Sequence, residues 1–191
     1  MIEARTSHPI GPEDFRTALA NQAAGVVVIT TRVAESLAGL TVTSFTSVSL
    51  APPLVSFYVD GNSATLRLLR VAPFFVVNIL ADHQADVARR FAAKGLDRFE
   101  PADSWYPAEI SGLPLVKNSA ARLICSSRAT NGGALPIGDH VLLVGEVVAA
   151  EVDRESQPLL YRRGRFGRFV DHEPTLRESR ADRRRNEPNE A

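Results

Sequence analysis

Between Gly39 and Pro53 the chain reads Gly-Leu-Thr-Val-Thr-Ser-Phe-Thr-Ser-Val-Ser-Leu-Ala-Pro-Pro, with small hydroxyl residues interleaved among apolar ones. Successive side chains of a strand face opposite ways, so this alternation calls for a β-strand with one face on a core and the other lined by hydroxyls. The alternation breaks near Ser44 and Phe45, where the strand is expected to bend or open into a loop. Pro52 and Pro53 lack amide hydrogens and are expected to stop the pairing at an extended corner. Hydroxyls and free N–H groups beside an apolar wall suit a flat, polar-edged ligand with a phosphate tail. The same composition also fits an ordinary Ser/Thr-rich edge strand.

The remainder of the chain supplies mostly strands. Gly25-Val-Val-Val-Ile-Thr-Thr is a β-branched run of the kind that forms a buried strand, and Gly39–Leu50 is expected to return beside it after a turn over residues 33–38. Leu54–Val59 and Phe74–Leu80 read as further strands, as do Ala120–Ser126 and His140–Val152. Helices are predicted at residues 12–21, 63–71 and 82–93. The first is opened by Pro12, Glu13 and Asp14, with Phe15 and Leu19 sharing its buried face. The second is capped by Asn62 or Ser63, after the Asp60-Gly-Asn turn. The third carries Val87, Phe91 and Gln84 along one side and ends at Lys94-Gly95. An irregular stretch over 96–107 holds Phe99, Trp105 and Tyr106, and is expected to fold over a site or under a neighbouring subunit. The loop containing Gly132, Gly133 and Pro136 reads as a mobile lid.

Several function classes are excluded by composition and spacing. At 191 residues the chain is sized for one domain, expected over 12–170, between a loose leader (1–11) and a charged, disordered tail (171–191). Positive and negative side chains balance to a net charge of zero, which favours neither nucleic acid nor a membrane surface, and the Arg183-Arg-Arg triplet reads as solvated charge. No apolar run is long enough to span a bilayer, and a cytoplasmic setting is expected. The single cysteine, Cys125, excludes a disulfide framework within the chain and reads as a buried structural thiol. His8, His83, His140 and His172 are scattered, without metal-ligand spacing, so no metal is expected. Neither a nucleophile elbow nor a Gly-x-Gly-x-x-Gly loop is present.

Gly39-Leu-Thr-Val-Thr-Ser-Phe, Ser47-Val-Ser-Leu, Pro52-Pro-Leu-Val and Asn78-Ile-Leu together resemble the flavin reductase-like family. So do Gln84, Phe91, Gly138-Asp-His, Pro158-Leu-Leu-Tyr and Gly164-Arg-Phe, in the family's order from about Phe15 to Phe169. The resemblance implies a mainly β fold with short helices, the antiparallel split β-barrel, assembled as a homodimer with flavin near the interface. It implies NAD(P)H-dependent reduction of FMN or FAD by NADH or NADPH, supplying reduced flavin to a partner monooxygenase. Such a reaction needs no protein nucleophile, because the cofactors carry the chemistry. A split-barrel reductase of a ferric chelate or corrin, and a non-catalytic flavin-binding barrel, are the alternative readings.

By the same resemblance Thr41, Val42, Thr43, Ser44, Ser47 and Val48 would contact the flavin ring and ribityl chain through backbone and hydroxyl groups. Asn62, Ser63 and Ala64 would meet its phosphate, and here a helix N-terminus is an independent physical reason. Phe91 matches a family aromatic near the flavin, and it equally fits a core position on an amphipathic helix. His140, in Gly138-Asp-His, is the candidate for the nicotinamide, together with Arg165 and Phe166. Phe166 stands where the family often has tyrosine. That leaves stacking possible and removes a hydroxyl.

Overall fold

The β-branched run buries both of its faces. In the computed structural model, which describes residues 9–109, 111–127 and 134–171, strand β2 (Val27–Val33) has Val27 and Ile29 in one apolar cluster and Val28 in another. A strand covered on both sides needs continuous apolar character rather than alternation. The first cluster fills a barrel interior with Val55, Phe57, Phe75, Val77 and Cys125, where the Phe57 and Phe75 rings meet edge to face at 5.3 Å. Burial raises the Cys125 thiol to about 12, so it stays protonated as a structural side chain. The second cluster places helix α3 (Ala85–Ala92) against the outside of the barrel through Ala88 and Phe91.

The elements follow in chain order: α1 (Pro12–Leu19), β1 (Ala24–Gly25), β2, β3 (Ser36–Val42), β4 (Thr46–Leu50), β5 (Pro53–Asp60), α2 (Ala64–Val71), β6 (Phe74–Ile79) and α3. A 3₁₀ turn at Ala102–Ser104 precedes β7 (Trp105–Pro107), β8 (Pro114–Val116), β9 (Ala121–Ser126), β10 (Ala134–Ile137), β11 (His140–Val152), β12 (Leu159–Arg162) and β13 (Arg165–Arg168). Seven strands form one path in the order β3-β2-β6-β9-β11-β5-β4, and β10 pairs with β11 off that path. Every recorded strand pairing is antiparallel. The two ends of the path, β3 and β4, are joined by residues 43–45 alone, so the sheet curls until its edges meet. The expected split-barrel architecture is the one found.

Several local expectations are corrected. The Gly39–Leu50 segment is two strands on opposite edges, since β3 pairs with β2 while β4 pairs with β5; the break falls at residues 43–45, around Ser44 and Phe45. The prolines do not end the pairing: Pro53 starts β5 opposite Leu50, after a tight turn at Ala51 and Pro52. The 33–38 turn shrinks to Ala34 and Glu35, because β2 extends through Val33. Phe15 and Leu19 are 52% and 51% exposed, and α1 has no buried residue; its end is tied down by Arg163 donating to Ala20 O and Asn21 Oδ1 and by Arg162 donating to Asn21 O. Helix α2 has no side-chain cap from Ser63; the Asn62 amide instead donates to Asp60 Oδ1. Trp105–Pro107 and Pro114–Val116 pair as β7 and β8. Pro136 belongs to β10, in a hairpin turned by Gly138 at positive φ, while Gly132 and Gly133 lie outside the described residues. So do leader residues 1–8 and the tail from 172.

Polar groups inside this apolar structure are tied to backbone. Asn78, fully buried on β6, donates to Val28 O and Thr30 Oγ1 and accepts the Val116 amide at 2.9 Å. Thr30 donates onward to Pro114 O at 2.5 Å, and Gln84 bridges Ala81 N to Lys117 O. These bonds lash the β7–β8 ribbon to the barrel wall. Asn78→Ala strands the Val116 amide and two acceptors in an interior where each unsatisfied group costs about 1–3 kcal/mol. A loss near 3 kcal/mol, which is roughly 6–12 °C in Tm for a chain of this size, is the expected outcome. Thermal unfolding followed by circular dichroism checks it, and an unchanged Tm would remove Asn78 as a structural node.

Candidate functional site

The end of β3 lies at the centre of a groove made by α2, α3, β5 and the β10–β11 hairpin. Thr41 is half-buried and donates its hydroxyl to Ala88 O at 2.7 Å, which locks β3 to α3. Ser44 Oγ accepts from the Tyr58 amide at 3.0 Å and donates to Tyr58 O at 3.3 Å, stitching the 43–45 link to β5. Both hydroxyls expected to face a ligand are thus engaged by backbone and keep only acceptor lone pairs for anything else. The Thr43 side chain is exposed at the same edge.

Three cavities adjoin along this edge and share Thr41. One, of about 360 Å³, brings Thr41, Val42, Thr43 and Ser44 together with Ser63, Tyr58 and His140. The next, of about 480 Å³, unites Asn62, Ser63 and Ala64 with Phe91 and Lys94. The third, of about 470 Å³, adds Phe166, Tyr161 and Arg89 beside Thr41 and Thr43. Each volume falls in the range of sites for small organic ligands. Ser47, Val48 and Arg165 line none of the three. Ser47 and Val48 lie past the link on β4, at a bulge on the opposite sheet edge. Arg165 neighbours Phe166 on β13, and alternation turns it the other way.

The floor of the groove is apolar and rigid. Phe91 is 1% exposed and meets Phe99 edge to face at 5.4 Å; Phe99 meets Trp105 at 5.5 Å, and the indole donates to Phe99 O. The 96–107 stretch therefore props up α3 from within its own chain, and its residues Leu96 to Phe99 line a cavity beside β3 and α2. Gly39 is required beneath it, because an added Cβ would come 2.6 Å from Phe91 Cε1 and 3.1 Å from Ile29 O. Phe91 is a core residue that also lines the groove.

Charge is unevenly spread along the groove. His140 Nδ1 lies 2.6 Å from Asp139 Oδ1, and that hydrogen bond, reinforced by the charge of the ring, holds the Asp139 carboxyl below its ordinary value. His140 also sits in register opposite Asp60, whose turn docks on the hairpin through Gly61 N donating to Asp139 O. At the other end α2 opens at Ala64, its Leu66 amide donating to Ser63 O, and Lys94 and Arg98 line the same cavity as Ser63 and Ala64. Arg89 lies over the Phe166 ring at 5.2 Å, and Tyr161 packs against that ring at 5.3 Å. Lys94, Arg89, Tyr58 and Tyr161 had not been singled out as site residues. For Lys94 a signal existed: it is one of only two lysines in an arginine-rich chain, placed directly after the predicted helix. No group of three or more histidine, cysteine, aspartate or glutamate side chains among the described residues could hold a metal ion, and no described helix is long and apolar enough to cross a membrane.

The groove fits a flavin on its own geometry: an apolar floor, a strand edge offering backbone groups and the Thr43 hydroxyl, and a cationic end at a helix N-terminus for a phosphate. Comparison with known proteins points the same way. Residues 19–169 match the flavin reductase like domain. An NADH:FMN oxidoreductase of Rhodococcus qingshengii is 38% identical over 159 residues, covering 81% of this chain and 80% of that protein. The flavin-dependent monooxygenase reductase subunit HsaB of Mycobacterium tuberculosis is 35% identical over 162 residues, 84% of this chain and 83% of the relative. Among solved structures, the NADH:FAD oxidoreductase SgcE6 of Streptomyces globisporus C-1027, in complex with NAD and FAD fragments, superposes with a TM-score of 0.78 at 33% identity. It covers 88% of this chain and 100% of that one.

Proposed function

The chain belongs to the flavin reductase-like family, and from that premise we propose that it is an NAD(P)H:flavin oxidoreductase, reducing FMN or FAD for a partner monooxygenase. The observation that carries this reading is the continuous groove joining the β3 edge, the α2 N-terminus, Lys94 and His140. A flavin held there would supply the hydride-accepting ring for reduced nicotinamide. The chain's own residues bind, orient and exclude water. Ser63 and Lys94, with the first amides of α2, hold the flavin phosphate, while the backbone and Thr43 hydroxyl of the 41–44 segment meet the polar ring edge. Phe91 and Thr41 set the floor on which the ring lies. His140, held by Asp139, positions the nicotinamide half of the second substrate at the mouth of the groove, and Phe166 supplies a stacking face. The protein works in the cytoplasm, where reduced nicotinamide and the monooxygenase component are available.

A homodimer is part of this reading. Apolar side chains are exposed on β10 (Leu135, Ile137), on β4 (Val48, Leu50) and on α1 (Phe15, Leu19). A second copy, related by a two-fold axis, would cover them. Sedimentation at twice the chain mass of 20.7 kDa is expected, and a monomer at micromolar concentration would remove the dimer from the reading.

Purified protein is expected to oxidise NADH or NADPH only when FMN or FAD is added, with chelators without effect. Activity that survives complete flavin removal, or dies on chelation, overturns the assignment; faster turnover of ferric chelates than of free flavin would redirect it to the alternative reductase reading. His140→Ala is expected to slow reduction of bound flavin at least tenfold, equivalent to about 1.4 kcal/mol of transition-state stabilisation, while flavin affinity is retained. Stopped-flow measurements on flavin-saturated protein decide the point. Equal limiting rates and equal nicotinamide affinities would take His140 out of the site.

A further inference from the structure

Three walls meet at the phosphate end of the groove: β3 through Leu40 and Thr41, α2 through Ser63 and Ala64, and the end of α3 through Phe91 and Lys94. They come from separate segments of the chain, yet one side chain is bonded to a residue next to each. Arg98, half-buried in the turn after α3, donates from Nε and Nη2 to Ala93 O at 3.1 and 2.9 Å. Its Nη1 donates to Thr65 Oγ1 at 3.1 Å and to Gly39 O. Ala93 precedes Lys94, Thr65 follows Ala64 and Gly39 precedes Leu40. The buried Thr65 hydroxyl closes the knot by donating to the same Gly39 O at 3.2 Å.

These bonds occupy all but one of the five N–H groups of a guanidinium. The charge of Arg98 is also offset, since Asp60 and Asp97 line the cavities on either side of it. Its chemistry is therefore that of a tie between elements and not of a free cation awaiting an anion. A flat, rigid fork reaches acceptors on two sides at once, which a lysine ammonium on a flexible stem does not reproduce. We propose that Arg98 is a positioning residue for flavin binding: with Thr65 it fixes the spacing of Ser63 and Ala64 from Lys94, so that both walls meet one phosphate. The inference rests on the flavin reductase reading given above. Loss of the tie leaves Thr41 still joining β3 to α3, so the barrel persists while the spacing of the phosphate donors relaxes.

Titration of the flavin-free full-length protein with FMN and with riboflavin, which lacks the phosphate, tests the proposal alongside Tm. The wild type is expected to bind FMN at least about tenfold more tightly than riboflavin. Arg98→Gln and Arg98→Lys are both expected to remove most of that preference, riboflavin affinity staying near that of the wild type. Thr65→Val keeps the guanidinium and its charge, and is expected to lower the FMN to riboflavin ratio in the same direction; it carries the test alone if the Arg98 variants do not fold. A ratio unchanged in the folded variants, with Tm lowered and both affinities falling by one factor, makes the tie merely structural and overturns the proposal. A wild-type ratio in Arg98→Lys beside a reduced one in Arg98→Gln shows that charge acts on the phosphate directly, and overturns it too. Equal wild-type affinities for FMN and riboflavin overturn the phosphate placement and this inference, leaving the flavin reductase reading standing. Failure of both flavins to bind overturns that reading as well.

Discussion

Three residues connect the two edges of a seven-stranded sheet path, and the rest of the molecule follows from that link. Laid flat, six inter-strand steps would separate β3 from β4 by about 29 Å. The chain from Val42 to Thr46 spans at most about 14 Å when fully extended. A flat or gently twisted sheet is therefore impossible, and the barrel closes because the connection is too short for anything else. The closure is held by Ser44, whose hydroxyl exchanges hydrogen bonds with both backbone groups of Tyr58. Edge strands that would otherwise be open templates are brought together there, and their meeting point is the wall of the groove.

Closure alone would leave a soft site. The groove is rigid because its floor is assembled from contacts that admit no slack. Gly39 lets β3 approach Phe91 without a side chain between them, and Phe99 and Trp105 support Phe91 from the other side. Thr41 ties the same strand to the α3 backbone, while Arg98 ties it to α2 through Gly39 O and Thr65. β3 is thus clamped to both helices within three residues. The polar nodes at Asn78 and Gln84 do comparable work on the opposite side, where they hold the β7–β8 ribbon. Two of the motif residues in the resemblance, Asn78 and Gln84, serve architecture rather than ligand contact.

What the sequence made legible was local or carried by motif. The strand alternation, the break at Ser44 and Phe45, the buried β-branched run and the inert thiol at Cys125 all depend on near neighbours in the chain. The pairing of β3 and β4 with different partners does not, because register and partner choice are set across the sheet. Phe15 and Leu19 share a helical stripe, yet among the described residues both are left about half exposed; periodicity reports that a face is apolar and not what it meets. Ser63 sits where a cap belongs, but Asp60 organises the turn before α2, accepting the Asn62 amide through a side chain two residues back. At the site, Thr41 to Ser44, Asn62 to Ala64, Phe91, His140 and Phe166 converge from five separated segments. Lys94 and Tyr58 escaped because their roles depend on where α3 ends and how β5 crosses the link, facts of packing rather than of pattern.

The histidine at the groove mouth shows how such geometry can select a partner without any nucleophile. Its Nδ1 is turned to Asp139, so Nε2 is the ring atom left for a ligand. Under the proposed role, that atom faces the carboxamide of the reduced nicotinamide. The carboxylate has a second consequence under the proposed role: with Asp139 beside the ring at the groove mouth, like-charge repulsion disfavours a phosphate there and favours the uncharged nicotinamide of the reductant.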